Sequence, residues 1–129
     1  SNVRQVRITL TGNDFSSPVS TTTYGVAVIS IPADNSYLEY EIQVHNLTSP
    51  ILGGSFNVGA AGRNGPMIKQ LNSFGQRMQV YISRGRWTPT DQVQPLTQEI
   101  LRYLSQNQLY VVVRTSQFPQ GQIRGQITL

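Results

Sequence analysis

The sequence contains no cysteine among its 129 residues. This absence excludes a disulfide framework, thiol chemistry and any metal site with cysteine ligands. Histidine is almost as scarce, because His45 is the only one. A single histidine cannot supply both a His-based catalytic triad and a metal site, and no Ser/His/Asp spacing is recognisable. The sequence therefore predicts no catalytic residues, no metal ligands and no cofactor.

Charged residues are scarce as well. Charged residues make up 12 % of the chain, about half the usual share of a soluble domain. The net charge is +4, and Lys69 is the only lysine among ten basic residues. The arginines are scattered, whereas phosphate binding needs a basic stripe on one face, so nucleic acid is not expected as a partner. Arginine forms ordered contacts with carboxylates and aromatic rings, which favours a protein or glycan surface as the partner.

Long apolar runs are also missing. No stretch approaches the roughly 18 apolar residues needed to span a membrane, and no signal peptide is recognisable. Both ends of the sequence have the pattern of a strand. We therefore interpret the chain as one domain, residues 1–129, which is either a mature form or a domain excised from a larger protein.

Strict alternation of apolar and polar residues is the dominant pattern, and it predicts half-buried strands of an antiparallel sheet. In the closing stretch this phase turns Gln122, Arg124 and Gln126 outward. The residues predicted to face the core are Val6, Ile8, Leu10, Leu38, Tyr40, Ile42, Val44, Ile123, Ile127 and Leu129.

Two further segments, 24–31 and 109–113, are apolar on both faces and rich in β-branched residues, as central strands are. Weaker strand patterns cover 67–71 and 78–83. Turn formers separate these segments, so the sequence predicts an all-β sandwich of about seven or eight strands. One segment has helical spacing instead, which predicts a short helix near 96–105 with Thr97 as its N-cap and Asn107 near its end.

The closing stretch, residues 109–127, resembles the end of CHRD (chordin-repeat) domains. That family typically has Tyr-Val-Asn-Val-His-Thr there, followed by a short gap with proline and then Gly-Glu-Ile-Arg-Gly-Gln. Residues 59–66, Gly-Ala-Ala-Gly-Arg-Asn-Gly-Pro, are similar to the central loop of the family. Further similarities, in the expected order, lie at 10–12, 18–21, 24–25 and 47–49.

The resemblance implies an immunoglobulin-like β-sandwich that is secreted or lies on the cell surface, with no catalytic activity firmly attached to the family. The chain departs from the family at four positions. The family usually has His-x-His where this chain has Ser55 and Asn57, its closing histidine is Arg114, and its glutamate is Gln122. Three histidines and a carboxylate could form a metal site, so the resemblance implies that this chain has lost any such site.

Arg114 is the most informative of these positions. The period of two places it on the same face as Tyr110 and Val112, in a strongly apolar strand. Such an arginine reaches the rim, pairs with a carboxylate or faces a ligand. One hypothesis is therefore a structural ion pair or a snorkelling side chain, and the other is a ligand site for an anion or carboxylate, with Ser55, Asn57 and Gln122 as neutral neighbours.

Other ligand-contact candidates lie near a glycine that suggests a loop. They are Arg84, Arg86 and Trp87, and Phe118 is a further candidate in another part of the chain. These residues are candidates because interfaces are enriched in arginine and aromatic residues. Trp87 could equally be a core residue.

Three isolated features of the sequence remain. Asn46 begins an Asn-Leu-Thr sequon and is a candidate for glycosylation. His45 is expected on the solvated face of its strand. Glu39 and Glu41 share a strand face, and an ordinary solvated face is favoured over an acid–base pair.

The first functional hypothesis is a non-catalytic extracellular structural or interaction domain that self-associates or packs into a surface assembly. The second is a monomeric binding module for a protein, peptide or glycan. A metal-dependent enzyme is a third and weaker alternative, because the ligand residues are missing.

Overall fold

A computed structural model describes residues 3–77 and 80–129, which form two antiparallel sheets packed face to face. The first sheet has the strand order β1-β2-β3-β7-β6 and the second the order β5-β4-β8-β9. The strands of the described residues are β1 (Val3–Leu10), β2 (Tyr24–Pro32), β3 (Leu38–His45), β4 (Ile51–Val58), β5 (Met67–Gln70), β6 (Gly75–Arg77), β7 (Val80–Trp87), β8 (Leu109–Thr115) and β9 (Ile123–Gln126). The predicted antiparallel sandwich is confirmed.

The alternation read from the sequence matches the burial of β3, where residues at every second position are buried. The same phase holds in β1, where Leu10 is buried and Val6 and Ile8 pack against the core. Within the core, Phe56 stacks on Trp87 with ring centroids 5.3 Å apart and meets Tyr40 edge-on at 5.4 Å. Strand residues with a period of two therefore build the core between the sheets.

The predicted helix is confirmed as α1 (Gln98–Ser105). The Thr97 hydroxyl accepts a hydrogen bond from the backbone N–H of Ile100 at 3.2 Å, which caps the first turn. The side chains of Ile100 and Leu104 are buried. Asn107 follows the last turn in the left-handed conformation, with φ of 59°, and ends the helix as predicted.

Two sequence predictions about strand position are wrong. Arg84 and Arg86 lie in β7 and not in a loop, and the intervening Gly85 is required because a side chain there would collide with the Tyr40 hydroxyl. Leu129 is 44 % exposed, although the alternation turned it inward. Of the predicted strand 78–83, residues 78 and 79 lie outside the described residues.

A turn after β7 covers the free edge of β5. Asp91 accepts hydrogen bonds from the backbone N–H groups of Val93 and Gln94, and it forms a salt bridge of 2.7 Å with Lys69. The bond from the Gln94 N–H, and then the Lys69 ammonium, hold the pKa of the Asp91 carboxyl far below its usual range. The Gln94 carboxamide also accepts from the backbone N–H of Gln70 at 2.7 Å. The edge of the second sheet is therefore protected at β5.

The two sheets are joined at the opposite side by β1 and β9. Thr11 and Arg124 exchange two backbone hydrogen bonds of 3.0 and 2.9 Å. This contact closes the sandwich at the C-terminal end of β1, whereas the rest of β1 pairs with β2 alone among the described residues.

Candidate functional site

Arg114, Ser55 and Asn57 form one hydrogen-bonded chain on the outer face of the second sheet. The antiparallel pairing of β4 with β8 places Gly53 opposite Arg114 and Asn57 opposite Tyr110. Arg114 Nη1 donates to Ser55 Oγ at 3.0 Å, and Ser55 Oγ donates to Asn57 Oδ1 at 2.7 Å. Three of the four positions singled out by the family resemblance are thus brought together.

The Arg114 guanidinium lies over the backbone of Gly53, where a Cβ atom would be 3.5 Å from Nη2. Arg114 is half-buried, and it forms no ion pair with any carboxylate of the described residues. Ser55, in contrast, is fully buried. The predicted structural ion pair is therefore absent from the described part of the chain, and a hydroxyl takes the place of its carboxylate.

Gln122 lies elsewhere, and the prediction that it turns outward is wrong because its side chain is fully buried. Its Nε2 donates to the hydroxyls of Thr21 and Thr23 at 2.8 and 2.9 Å, and its Oε1 accepts from Thr115 at 2.7 Å. All these partners are neutral. Gln122 therefore belongs to a buried threonine cluster and not to the Arg114 group.

Arg124 differs most from its predicted position. It was expected to face solvent, but its side chain is fully buried. Nη1 donates to the carbonyl of Arg63 at 2.8 Å and Nη2 to that of Ala60 at 2.9 Å, while the guanidinium carbon lies 3.5 Å from the centre of the Tyr110 ring. Its Nε atom has no hydrogen-bond partner in the described part of the chain.

The central loop, residues 59–66, is held by these contacts and by further hydrogen bonds, among them two at Gly65. Gly65 N–H donates to the Tyr110 hydroxyl at 2.9 Å, and Asn57 Nδ2 donates to the Gly65 carbonyl at 3.0 Å. Burial lowers the pKa of Arg124, and the electrostatic interactions with Tyr110 and Asp14 oppose that effect. Arg124 is therefore a cation that fixes the loop over the outer face of the second sheet.

The remaining contact candidates are dispersed. Trp87 is fully buried and its Nε1 donates to the Gln94 carbonyl at 2.7 Å, so its prediction as a ligand residue is wrong. Arg84 pairs with Glu41 at 2.9 Å and Arg86 with Glu39 at 2.7 Å on the outer face of the first sheet. The hydrogen bond to Glu39 raises the pKa of Arg86. This face is an ordinary charged surface, as expected for the two glutamates.

The isolated candidates lie at the end of β3. The His45 ring stacks on Tyr24 with centroids 5.0 Å apart, so it is half-buried by that contact. Asn46 is exposed in the left-handed conformation, with φ of 59°, and the sequon it begins is therefore at the surface.

A cleft of about 650 Å³ lies between the start of β4, the segment 70–74 and Tyr81. None of the ligand residues predicted from the sequence lines it. Among the described residues there is no group of three His, Cys, Asp or Glu side chains that could hold a metal ion. Within the same residues no helix is long and apolar enough to cross a membrane.

Two antiparallel sheets, a clamped central loop and a set of neutral polar sites define an all-β interaction domain. A family model described as the CHRD domain matches residues 6–127, and the chain belongs to the CHRD domain family. Membership indicates an interaction module of extracellular type. Comparison with curated proteins and with solved structures finds no match.

Proposed function

We propose that this chain is a non-catalytic, extracellular domain that self-associates through the edge of β1. The observation that carries the proposal is the free side of this strand from Val3 to Arg7, before Gly125 of β9 approaches the backbone carbonyl of Thr9. From Val3 to Leu10, β1 pairs with β2, and no other described segment forms a backbone hydrogen bond to its opposite side. Unpaired N–H and C=O groups in a row are a template for a further strand.

The edge of β1 has few of the features that block such pairing. It contains no proline or glycine, and its register with β2 has no bulge. By contrast, the edge of β5 is covered by the Asp91 turn, and β6 has only three residues. Only Arg4 and Arg7 place charge on β1.

The positions of these arginines select the register of a symmetric pair. Consider two copies whose β1 strands pair antiparallel about a two-fold axis, so that the two sheets form one sheet with their outer faces on the same side. Residues that lie opposite each other then belong to the same face, and the residue at the axis lies opposite its own copy. Registers centred on Arg4 or Arg7 place an arginine opposite itself and are disfavoured. A register centred on Gln5 or Val6 places Arg7 opposite Val3 or Gln5 of the second copy, so no arginines face each other.

Gln5→Lys should therefore weaken self-association about tenfold. In the registers centred on Gln5 and on Val6 the new lysine faces a second lysine or Arg7 of the other copy. A register centred on Ile8 would need the backbone edge of Thr11, which is already bonded to Arg124. The association constant is measured by sedimentation equilibrium from micromolar to millimolar concentration. Gln43→Lys is the matched control, because Gln43 lies on the same sheet face but in β3, inside the sheet.

The two variants separate the possible outcomes. Loss of association in Gln5→Lys alone supports pairing at the edge. Equal losses in both variants would assign association to the sheet face instead. A wild-type chain that stays monomeric throughout the concentration range would overturn the proposal.

The absence of catalysis is part of the same proposal. It is supported by the single histidine, which stacks on Tyr24, and by the pairing of Glu39 and Glu41 with arginines. Neither arrangement leaves a pair of groups poised to exchange a proton with a substrate.

A second candidate function is capture of an anionic group of a protein or peptide by Arg114. The observation that favours it is a half-buried guanidinium whose described polar partner is a neutral hydroxyl. A carboxylate of a ligand would supply the counter-charge that the domain itself does not provide there.

Titration with acetate, followed by NMR, tests this second function. Saturable shifts at Ser55 and Gly53 are expected in the wild-type chain and should be lost in Arg114→Gln. Arg102→Gln removes the same charge from an exposed position on α1 and should leave them unchanged. Equal responses of both variants, or lower stability of Arg114→Gln with unchanged acetate binding, would reject capture by Arg114.

A further inference from the structure

A shallow pocket of about 390 Å³ lies beside the buried threonine cluster, and the functions proposed above do not use it. The segment before β2, the turn after β3 and the turn after β8 each contribute to its walls. The lining residues are Ser20, Thr21, Thr22, Thr48, Gln117 and Phe118. Five of them carry a hydroxyl or a carboxamide, one is aromatic and none is charged. The volume is within the range of roughly 300–1,000 Å³ of small-molecule sites.

The polar groups of this pocket are held in place from below by Gln122. Its Nε2 donates to Thr21 Oγ1 at 2.8 Å and lies 3.5 Å from Thr48 Oγ1. Thr48 Oγ1 in turn donates to Gln117 Oε1 at 2.8 Å. Thr21 is therefore oriented by a fully buried carboxamide and Gln117 is held by Thr48, so part of the ordering is already done before a ligand binds.

Several hydrogen-bonding groups at the wall remain available. Thr21 Oγ1 accepts from Gln122 and from the backbone N–H of Thr23, and its own hydrogen has no acceptor among the described residues. The Nε2 group of Gln117 likewise donates to no described group. A ligand in this pocket would therefore meet O–H and N–H donors beside hydroxyl oxygens that also accept.

We propose that this pocket binds a neutral saccharide. Sugar hydroxyls donate and accept, which matches threonine hydroxyls and a glutamine carboxamide. The half-buried ring of Phe118 offers an apolar surface for the C–H face of a pyranose ring. A charged ligand would find no counter-charge in the lining, and a purely apolar one would leave the Thr21 hydroxyl hydrogen and the Gln117 amide group without acceptors.

The pocket contains no residue of β1. The saccharide proposal can therefore be tested independently of self-association. The test uses the full chain, labelled with ¹⁵N and produced in bacteria so that Asn46 has no glycan. It is titrated with glucose, galactose, mannose, xylose, fucose, N-acetylglucosamine and their disaccharides. Saturable shifts at Thr21, Thr48 and Gln117 are expected for at least one sugar, with dissociation constants in the millimolar range.

Two variants assign the binding to this pocket. Phe118→Ala should weaken binding at least tenfold by removing the ring surface, and Gln117→Ala about fivefold by removing one hydrogen-bonding group. Gln120→Ala, at an exposed position outside the lining, should bind like the wild type. If no sugar in the panel shifts the pocket residues at about 50 mM, or if binding survives both pocket variants, the proposal is wrong. Gln117 is exposed, so its variant keeps the test decisive even if Phe118→Ala fails to fold.

Discussion

Arg124→Ala should lower the free energy of unfolding by about 3 kcal/mol. The substitution leaves the carbonyls of Ala60 and Arg63 without their donor, at about 1–3 kcal/mol for each group that stays buried. It also removes a guanidinium packed on the Tyr110 ring and leaves a cavity. Part of this loss is offset because the unpaired Nε of Arg124 no longer has to be buried.

Urea denaturation measures this change, and hydrogen exchange locates it. The amides of Val58 and Gly59, which donate to Pro66 and Gln108, should exchange faster in the variant because the central loop is no longer clamped. Arg63→Ala is the matched control. It removes an exposed arginine from the same loop but keeps the backbone carbonyl that Arg124 binds.

A loss in Arg124→Ala of less than about 0.5 kcal/mol, equal to that of the control, would show that the loop is held without the clamp. Arg124→Lys should fall between wild type and Arg124→Ala. A lysine carries a compact ammonium and cannot match the fork that reaches two carbonyls at once.

Gln122→Glu should make stability strongly dependent on pH. The new carboxyl is buried among neutral hydroxyls, and desolvation raises its pKa above the value of about 4.3 in the unfolded chain. Of the surrounding hydroxyls, Thr23 and Thr48 already donate to Asn46 O and Gln117 Oε1, which leaves Thr21 and Thr115 to stabilise the charged form. Hydrogen bonds therefore offset only part of the desolvation cost of the charged carboxylate.

The sign follows from the raised pKa. Below about pH 4 the carboxyl is neutral in both states, and the variant should lie within about 1 kcal/mol of the wild type. As the pH rises past the unfolded pKa the folded state binds more protons, so stability is lost until the folded pKa is passed. At pH 8 we expect a deficit of about 2–3 kcal/mol.

Urea denaturation between pH 4 and pH 8 measures this profile. Gln120→Glu places the same charge in an exposed turn two residues away and should show no such deficit. Parallel profiles of Gln122→Glu and the wild type would mean that the cluster solvates a carboxylate well. It would then be suited to the glutamate that the family usually has at this position.

The strands and the helix could be predicted from the sequence because their patterns are local. In β3 the residues from Leu38 to His45 alternate, and the pleat turns alternate side chains to opposite faces whatever they pack against. Thr97 and Asn107 act as helix ends through their own side chain or backbone conformation. The family resemblance, now confirmed over residues 6–127, depends likewise on the order of residues along the chain.

Part of the candidate site could also be predicted from the sequence. The resemblance grouped Ser55, Asn57 and Arg114, and the pairing of β4 with β8 brings them together. It grouped Gln122 with them as well, but that side chain turns into the threonine cluster between segments far apart in the chain. The sequence predicts Phe118 as a contact residue. It does not predict the pocket that Phe118 helps to line, because the other lining residues come from distant segments of the chain.

What the sequence by itself determined is the alternation that makes the strands, the spacing and caps that make α1, and the family to which the chain belongs. Only the tertiary structure decided which polar residues are buried. Arg124 has the phase of an outward residue, yet the central loop, about 60 positions away, covers it and supplies its carbonyl partners. Trp87 is in the core because β7 pairs with β3. The register of this pairing could not be predicted from the sequence, because the arginines and Gly85 of β7 suggest a loop. Periodicity reports the face of a strand on which a side chain lies, but it contains no information about what packs on that face.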